Sequence, residues 1–227
     1  MQKCILSLLS FLIMSAAPSA WAATDWIAGK HYAEVATAAR PALAAGQTEI
    51  TEVFSYGCPA CNLFNSYAHK IKERLPAGSK FLYVPASFIP AEDWPMFQRA
   101  YCTAEVLGIA DKGHDAMFEA VWTTGELATM DKTTGRLKSP MPTIEQAALV
   151  YNRVAGVKAA DFTAAAASFS VDMKMKAADD FVKAYKVSGT PTLIIDRRYK
   201  VSVQSAGGYD QLMELVAWLV AKDKKQP

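Results

Sequence analysis

A strand–helix–strand pattern near the start of the chain, answered by helix, two strands and helix near its end, restricts the fold more than any other feature. Glu49 to Ser55 (Glu-Ile-Thr-Glu-Val-Phe-Ser) is a short β-prone run. Tyr56-Gly57 follows, and a helix opens at Pro59, where a missing N–H is no loss. Leu63, Phe64, Tyr67, Ala68, Ile71 and Leu75 share one face of that helix, Pro76-Ala77-Gly78 stops it, and Phe81 to Val84 supplies the next apolar strand. Such a βαβ unit predicts parallel strands. From Asp93 to about Phe169 the patterns are helical, with a cap at Asp93, a Thr143/Gln146 capping box and stops at Gly108 and Gly156. Mixed structure then returns. A helix through Asp179 to Tyr185 leads to Ser188-Gly189-Thr190-Pro191, an apolar strand from Thr192 to Ile195 and a turn at Arg197-Arg198. Alternating Tyr199, Val201 and Val203 make the returning strand, and Gly207-Gly208 precedes a last helix with Leu212, Leu215, Val216, Leu219 and Val220 on its apolar side. Strands from both ends imply one α/β sheet with the helical block inserted into it.

The chain's beginning reads as a secretory leader. Met1 to Ala22 carries one charge, Lys3, then an apolar run from Cys4 to Met14, then small residues ending in Ala20-Trp21-Ala22. That run is too short for the roughly 20 residues a membrane-spanning helix needs, so cleavage is expected after about Ala22 and no later segment is expected to span a membrane. The expected organisation is a leader over 1–22, a first α/β part over 23–91, a helical insertion over 92–169 and a second α/β part over 170–227. The balance of 24 Lys plus Arg against 22 Asp plus Glu, with no basic block beyond Lys224-Lys225, argues against a nucleic-acid partner.

Removing the leader takes Cys4 with it and leaves Cys58, Cys61 and Cys102. An odd set in an exported chain long enough to bury a core points to reactive cysteine rather than a disulfide framework. Cys58-Pro59-Ala60-Cys61 places two thiols within one helical turn at a strand-to-helix junction. Cys58 sits at the helix N-terminus, where free N–H groups favour an anion, and is expected to attack; Cys61, one turn in, is expected to resolve. A helix terminus contributes roughly 0.3 to 2 kcal/mol, enough to lower a thiol by about one unit, so any larger shift must come from Pro59, Ala60 and neighbouring donors. Ala60 offers no side-chain donor.

Other uses of this pair fit less well. A zinc site would need two more ligands, and His31, His69, His114 and Cys102 show no second close pair. Haem attachment needs a histidine after the second cysteine, and Asn62 stands there. A structural disulfide closing so short a loop would constrain the unfolded chain little. Pro191 reads either as a strand-entry proline or as a cis-proline beside Cys58. Cys102 reads as a buried free thiol, His114 as a packing residue beside Met117, Phe118 and Val121, and His69 as solvated. Met173 and Met175 read as core, with a place in an apolar peptide groove as the alternative.

Phe54-Ser55-Tyr56-Gly57-Cys58-Pro59-Ala60-Cys61, the loop Ser188-Gly189-Thr190-Pro191-Thr192 and the long helical stretch between them resemble the thioredoxin superfamily, specifically the DsbA-like thiol:disulfide interchange proteins. The likeness spans most of the chain after the leader. It implies a thioredoxin-like fold with an inserted helical subdomain, Cys58 as nucleophile, Cys61 as resolving cysteine, and a cis Pro191 with Thr190 at the substrate site. It also gives Glu52 a role as a buried acid that exchanges a proton with Cys61; the alternative is a strand residue facing solvent. Ala60 departs from the histidine usual there, which predicts a less oxidising protein, and Thr190 stands where a valine is familiar.

The function this implies is periplasmic disulfide oxidation. The Cys58–Cys61 disulfide would pass to unfolded or reduced exported polypeptides, and a DsbB-like, quinone-linked membrane partner would reoxidise the protein. No cofactor or metal is required, and the chain is expected to act as a monomer. The rivals are a reductase or isomerase of the same fold, and a peptide-binding chaperone whose thiols are incidental.

Overall fold

The computed structural model describes residues 25–35 and 46–223. The expected leader, Cys4 and the cleavage position lie outside the described residues. Five strands, β1 (Ala33–Glu34), β2 (Glu49–Phe54), β3 (Lys80–Pro85), β4 (Thr192–Ile195) and β5 (Tyr199–Ser202), form one sheet in the order β1-β5-β4-β2-β3. β2 and β3 pair in parallel, as the βαβ reading requires, and the other pairs are antiparallel. Every residue of β2 is buried. Its alternation puts Ile50, Glu52 and Phe54 on one face, opposite Phe81, Tyr83 and Pro85 of β3.

That face is covered by α1 (Pro59–Arg74) and α8 (Tyr209–Asp223). Ile50, Phe64, Ile71, Leu193, Leu215 and Leu219 form the core beneath them. The other face carries α6 (Phe169–Ala184), whose Phe181 packs with Tyr185 on Val53, Val84 and Ile194. Between β3 and α6 the chain builds α2 (Trp94–Val106), α3 (Ala110–Phe118), a π-helical extension over Glu119–Thr123, α4 (Ile144–Ala155) and α5 (Ala159–Ala166). These helices close over Phe54 and Tyr56 with Phe97, Tyr101, Met117 and Tyr151 in a second apolar cluster.

Several local signals act as read. Thr143 and Gln146 make both bonds of a capping box, and Gly156 ends α4 in the left-handed region. Asp93 does not cap α2: it is itself left-handed, with φ 58, and its side chain makes no cap bond. Pro95 in the first turn has no N–H, so α2 has one orphan donor fewer to satisfy. Leu63 is 62% exposed, at the margin of the α1 stripe. Val203 leaves β5 for a short helix, α7 (Val203–Ala206), opened by a Ser202/Ser205 capping box.

One close approach sets the spacing of the inserted helices. A Cβ on Gly113 of α3 would overlap the Tyr151 ring of α4. Gly113→Ala is therefore expected to cost about 1–3 kcal/mol of stability through overpacking, read as a lowered urea midpoint; an unchanged midpoint would contradict this packing.

Candidate active site

The turn out of β2 is shaped for the dithiol. Gly57 N–H donates to Ser55 Oγ at 3.2 Å and Cys58 N–H donates to the Ser55 carbonyl at 3.1 Å. A Cβ on Gly57 would stand 2.7 Å from Trp94 Nε1, so only glycine lets this indole close on the turn. From the other side Trp122 Nε1 donates to the Tyr56 carbonyl at 2.8 Å. Cys58 is the N-cap of α1, with φ −89 and Pro59 in the first turn, and its sulfur accepts from Cys61 N–H at 3.3 Å. The Cys58 thiol lies 3.4 Å from the Thr190 carbonyl. Thr190-Pro191 is a cis peptide, so of the two readings of Pro191 the structure takes the cis one.

The two sulfurs are held in opposite electrostatic states. Both are free thiols. The Cys61 side chain hydrogen-bonds the Cys58 sulfur and draws its pKa from 9.0 down to about 6, against an opposing effect of burial; Thr190 and the N–H groups of Cys61 and Ala60 add smaller contributions. That is more than a helix terminus alone supplies, so the second thiol is the main source of the difference. Burial pushes the Cys61 thiol well above its ordinary value, and the neighbouring Cys58 and Glu52 charges act in the same direction. Cys61 is 0% exposed, whereas Cys58 forms part of the wall of an open groove.

Glu52 faces the protein interior and not solvent. It is 2% exposed, between Ile50 and Phe54 on the face under α1. Burial raises its pKa well above the carboxylate range; a Cys58 thiolate raises it further, and the Lys72 ammonium opposes both. Lys72 carries no motif, and sequence reasoning missed it.

The groove beside Cys58 has a volume of about 710 Å³. Phe88, Ile89, Trp122 and Met130 give it apolar walls, Glu92 and Lys132 add charges, and Ser188 to Thr190 form its far side. These residues come from segments far apart in the chain, so no local pattern marked them. Met173 and Met175 lie on α6 and do not line this groove; Met173 is exposed. His114 is buried against Tyr83, its Nδ1 3.2 Å from the Tyr56 hydroxyl, and burial lowers its pKa to about 3, so it packs as a neutral ring. His69 meets Asp115 at 2.9 Å on the surface. Cys102 is fully buried in α2, and burial lifts its thiol to about 12, which leaves it unreactive. Among the described residues no group of three His, Cys, Asp or Glu could hold a metal, and no helix is long and apolar enough to cross a membrane.

Comparison with known proteins agrees with this geometry. A family model described as thioredoxin matches residues 43–216. The chain is 32% identical over 206 residues to the thiol:disulfide interchange protein DsbA of Pseudomonas syringae pv. tomato, covering 91% of this chain and 88% of that one. It is 30% identical to DsbA of Pseudomonas aeruginosa, covering 89% and 88%. Among solved structures, the oxidoreductase DsbA of Xylella fastidiosa superposes with a TM-score of 0.74 at 28% identity, covering 87% of this chain and 97% of that one. Pseudomonas aeruginosa DsbA gives 0.71 at 29%, covering 88% and 95%. With a parallel βαβ unit leading into Cys58 and Cys61, a helical insertion and these relatives along most of its length, the chain belongs to the thioredoxin superfamily, among the DsbA-like thiol:disulfide oxidoreductases.

Proposed function

We propose that this protein is an exported disulfide oxidase of the periplasm, acting through Cys58 and Cys61 on reduced, unfolded polypeptides. The observation that carries this reading is the asymmetry of the two sulfurs: one on the wall of the groove with its pKa drawn down to about 6, the other sealed in and held protonated. In the oxidised protein a substrate thiolate attacks Cys58 Sγ, the Cys58–Cys61 bond breaks, and Cys61 leaves with the electron pair and takes a proton from Glu52. A second substrate thiolate then attacks the substrate sulfur of the mixed disulfide. Cys58 departs as a thiolate, which its low pKa makes a good leaving group. The substrate gains a disulfide, and its two electrons remain on the reduced pair until a DsbB-like, quinone-linked membrane partner removes them.

The apolar groove supports broad substrate choice, with Thr190 and Pro191 beside the attacked sulfur. On this reading residues 1–22 are a cleaved leader, 92–169 a helical insertion roofing the site between the two α/β parts, and the protein works as a monomer. Ala60 favours a second reading, a weaker oxidant or a reductase, because it adds no donor to the Cys58 thiolate. Alkylation and gel shift of the protein taken directly from cells separates the two. A mostly oxidised pair supports the oxidase, and a mostly reduced pair supports a reductase or isomerase.

Glu52→Gln tests the proton role. Loss of a general acid slows exchange by about a hundredfold. The same substitution is expected to raise the urea midpoint at neutral pH. Because the native carboxyl is held above its unfolded value, the native state binds more protons, and its stability falls as pH rises past the unfolded value. Unchanged exchange kinetics would remove Glu52 from the mechanism.

A further inference from the structure

β3 lies at one side of the sheet, where only β2 pairs with it. Lys80 N–H donates to the Thr48 carbonyl at 2.8 Å and Ala86 N–H donates to the Phe54 carbonyl at 2.7 Å, so the even-numbered residues of β3 turn their main chain toward β2. A parallel ladder alternates, and the N–H and C=O groups of Phe81 and Tyr83, with the Pro85 carbonyl, therefore point away from the sheet. Gln98 Nε2 donates to the Pro85 carbonyl at 3.2 Å. Among the described residues nothing pairs with the other four groups. Two donors and two acceptors in strand order are an unpaired edge. Pro85 has no N–H and stops it at one end, and the exposed Lys80 guards the other. What remains fits a strand of about three to five residues and no open-ended stack.

The edge opens onto a cavity of about 890 Å³, distinct from the groove beside Cys58. Leu82, 41% exposed, makes its α6 side apolar together with Ala177 and Phe181. α3, whose His114 packs on Tyr83 with ring centroids 4.0 Å apart, brings Asp111 to the opposite side. Asp111 is exposed and has no ion pair among the described residues, whereas Glu105 behind it is met by Lys174 at 3.4 Å. Side chains of a strand laid along this edge alternate between the two sides. The complementary pattern is thus apolar toward Leu82 and basic toward Asp111. Pro85 lines this cavity and Phe88 lines the groove, so the two rims carry residues three positions apart, within about 11 Å. Gln98, which also donates to Asp179 at 2.8 Å, stands between them.

We propose that the free edge of β3 is a second docking site for the substrate polypeptide, taking an extended segment of alternating apolar and basic residues some distance along the chain from the cysteine being oxidised. This deepens the oxidase reading and rests on it. An unfolded substrate has main-chain groups free to pair, and a folded one does not, so the edge selects for the unfolded state. Once the substrate's cysteine is at Cys58, a flexible stretch of about ten residues reaches the edge, and the second contact forms at high effective concentration. The contact is non-covalent and leaves the chemistry at the two sulfurs as described.

The probes are a reduced two-cysteine peptide, the same peptide joined at either end through about ten Gly/Ser residues to the strand Val-Lys-Val-Lys-Val, and that strand alone. Joining the strand at the better end is expected to lower KM about tenfold with kcat unchanged. The strand alone is expected to slow amide hydrogen exchange at Phe81 and Tyr83 and to leave Cys58 as it was. Leu82→Lys and Asp111→Lys are each read as the ratio of kcat/KM for joined and plain peptides, so that any general effect on the protein cancels. Both bring the ratio close to one, and in Asp111→Lys a Val-Glu-Val-Glu-Val strand restores it. A ratio near one in the wild type, with the plain peptide turned over, overturns the docking site alone. So does a gain that survives Leu82→Lys, or protection that falls away from Phe81 and Tyr83. A dimer in solution that Leu82→Lys dissolves gives the edge to a second copy and overturns the substrate proposal. If the plain peptide is not oxidised at all, the oxidase reading falls and the substrate proposal with it, whatever the strand does to the edge amides.

Discussion

Replacing Cys58 with serine is expected to abolish thiol:disulfide exchange, a loss on the order of a thousandfold or more, because no other described thiol combines a place on the groove wall with a low pKa. Cys61 is sealed beneath it and held protonated, and Cys102 is buried with its thiol lifted to about 12. Substitutions at Cys61 behave differently according to what replaces the sulfur. Cys61→Ser leaves a hydroxyl able to donate to Cys58 but no disulfide to pass on, so peptide oxidation stops; the Cys58 thiolate still attacks a disulfide-bonded peptide, and without Cys61 to displace it the mixed disulfide accumulates. Cys61→Ala also removes the largest stabiliser of the Cys58 thiolate, and its pKa is expected to climb by about a unit or more. Thiolate absorbance against pH, set beside peptide oxidation assays, checks both statements. A Cys58→Ser protein that retained peptide oxidation would contradict the assignment. One that kept full activity in suppressing aggregation, with wild-type activity equally independent of redox state, would favour a chaperone.

The second large effect is a stabilisation of the reduced protein relative to the oxidised one that grows with pH. In the folded reduced state Cys58 ionises near pH 6, against 9.0 for an ordinary thiol. Below pH 6 both states are protonated and the thiolate contributes nothing. As pH rises through 6 the native thiolate forms while the unfolded thiol stays protonated, so stability increases until about pH 9, where the unfolded thiol ionises as well. Three units correspond to about 4 kcal/mol at that plateau and about 1.4 kcal/mol at pH 7. Beyond pH 9 the trend turns downward, because the native fold keeps Cys61 protonated when the unfolded chain would release that proton. The oxidised protein has neither thiol and lacks this dependence. Urea midpoints of the two forms between pH 5 and pH 9 should therefore diverge as pH rises; parallel curves would show that the thiolate is not stabilised by the fold. The same free energy favours the dithiol over the disulfide, at about 30 mV toward the oxidising side at pH 7. It links the stability of the reduced fold to the direction of the reaction.

How much of this was legible in the sequence depends on how local each signal is. Pro59 after Cys58, the Thr143/Gln146 box and Gly156 act within four residues, and all three appear in the structure as read. Asp93 failed as a cap although its residue type is favourable, since a left-handed backbone turns its side chain away from the helix it precedes. Leu63 kept the helical period and was still exposed: period identifies a stripe, while neighbouring elements decide how wide a stripe they cover. Val203 kept the strand alternation, but the Ser202/Ser205 capping box ended the strand one residue earlier.

The sequence by itself determined the dithiol at a helix start, the parallel βαβ unit that carries it and the long helical insertion, because these rest on hydrogen bonds and periodicities between near neighbours. Only the tertiary structure decided that Glu52 is buried, that Thr190 lies against Cys58 and that Lys72 turns inward over Tyr83. It likewise decided that Phe88, Trp122 and Met130 wall one groove. Each of these depends on how segments far apart in the chain remove one another from water. Desolvation sums over all of them at once, and no short stretch of residues records it.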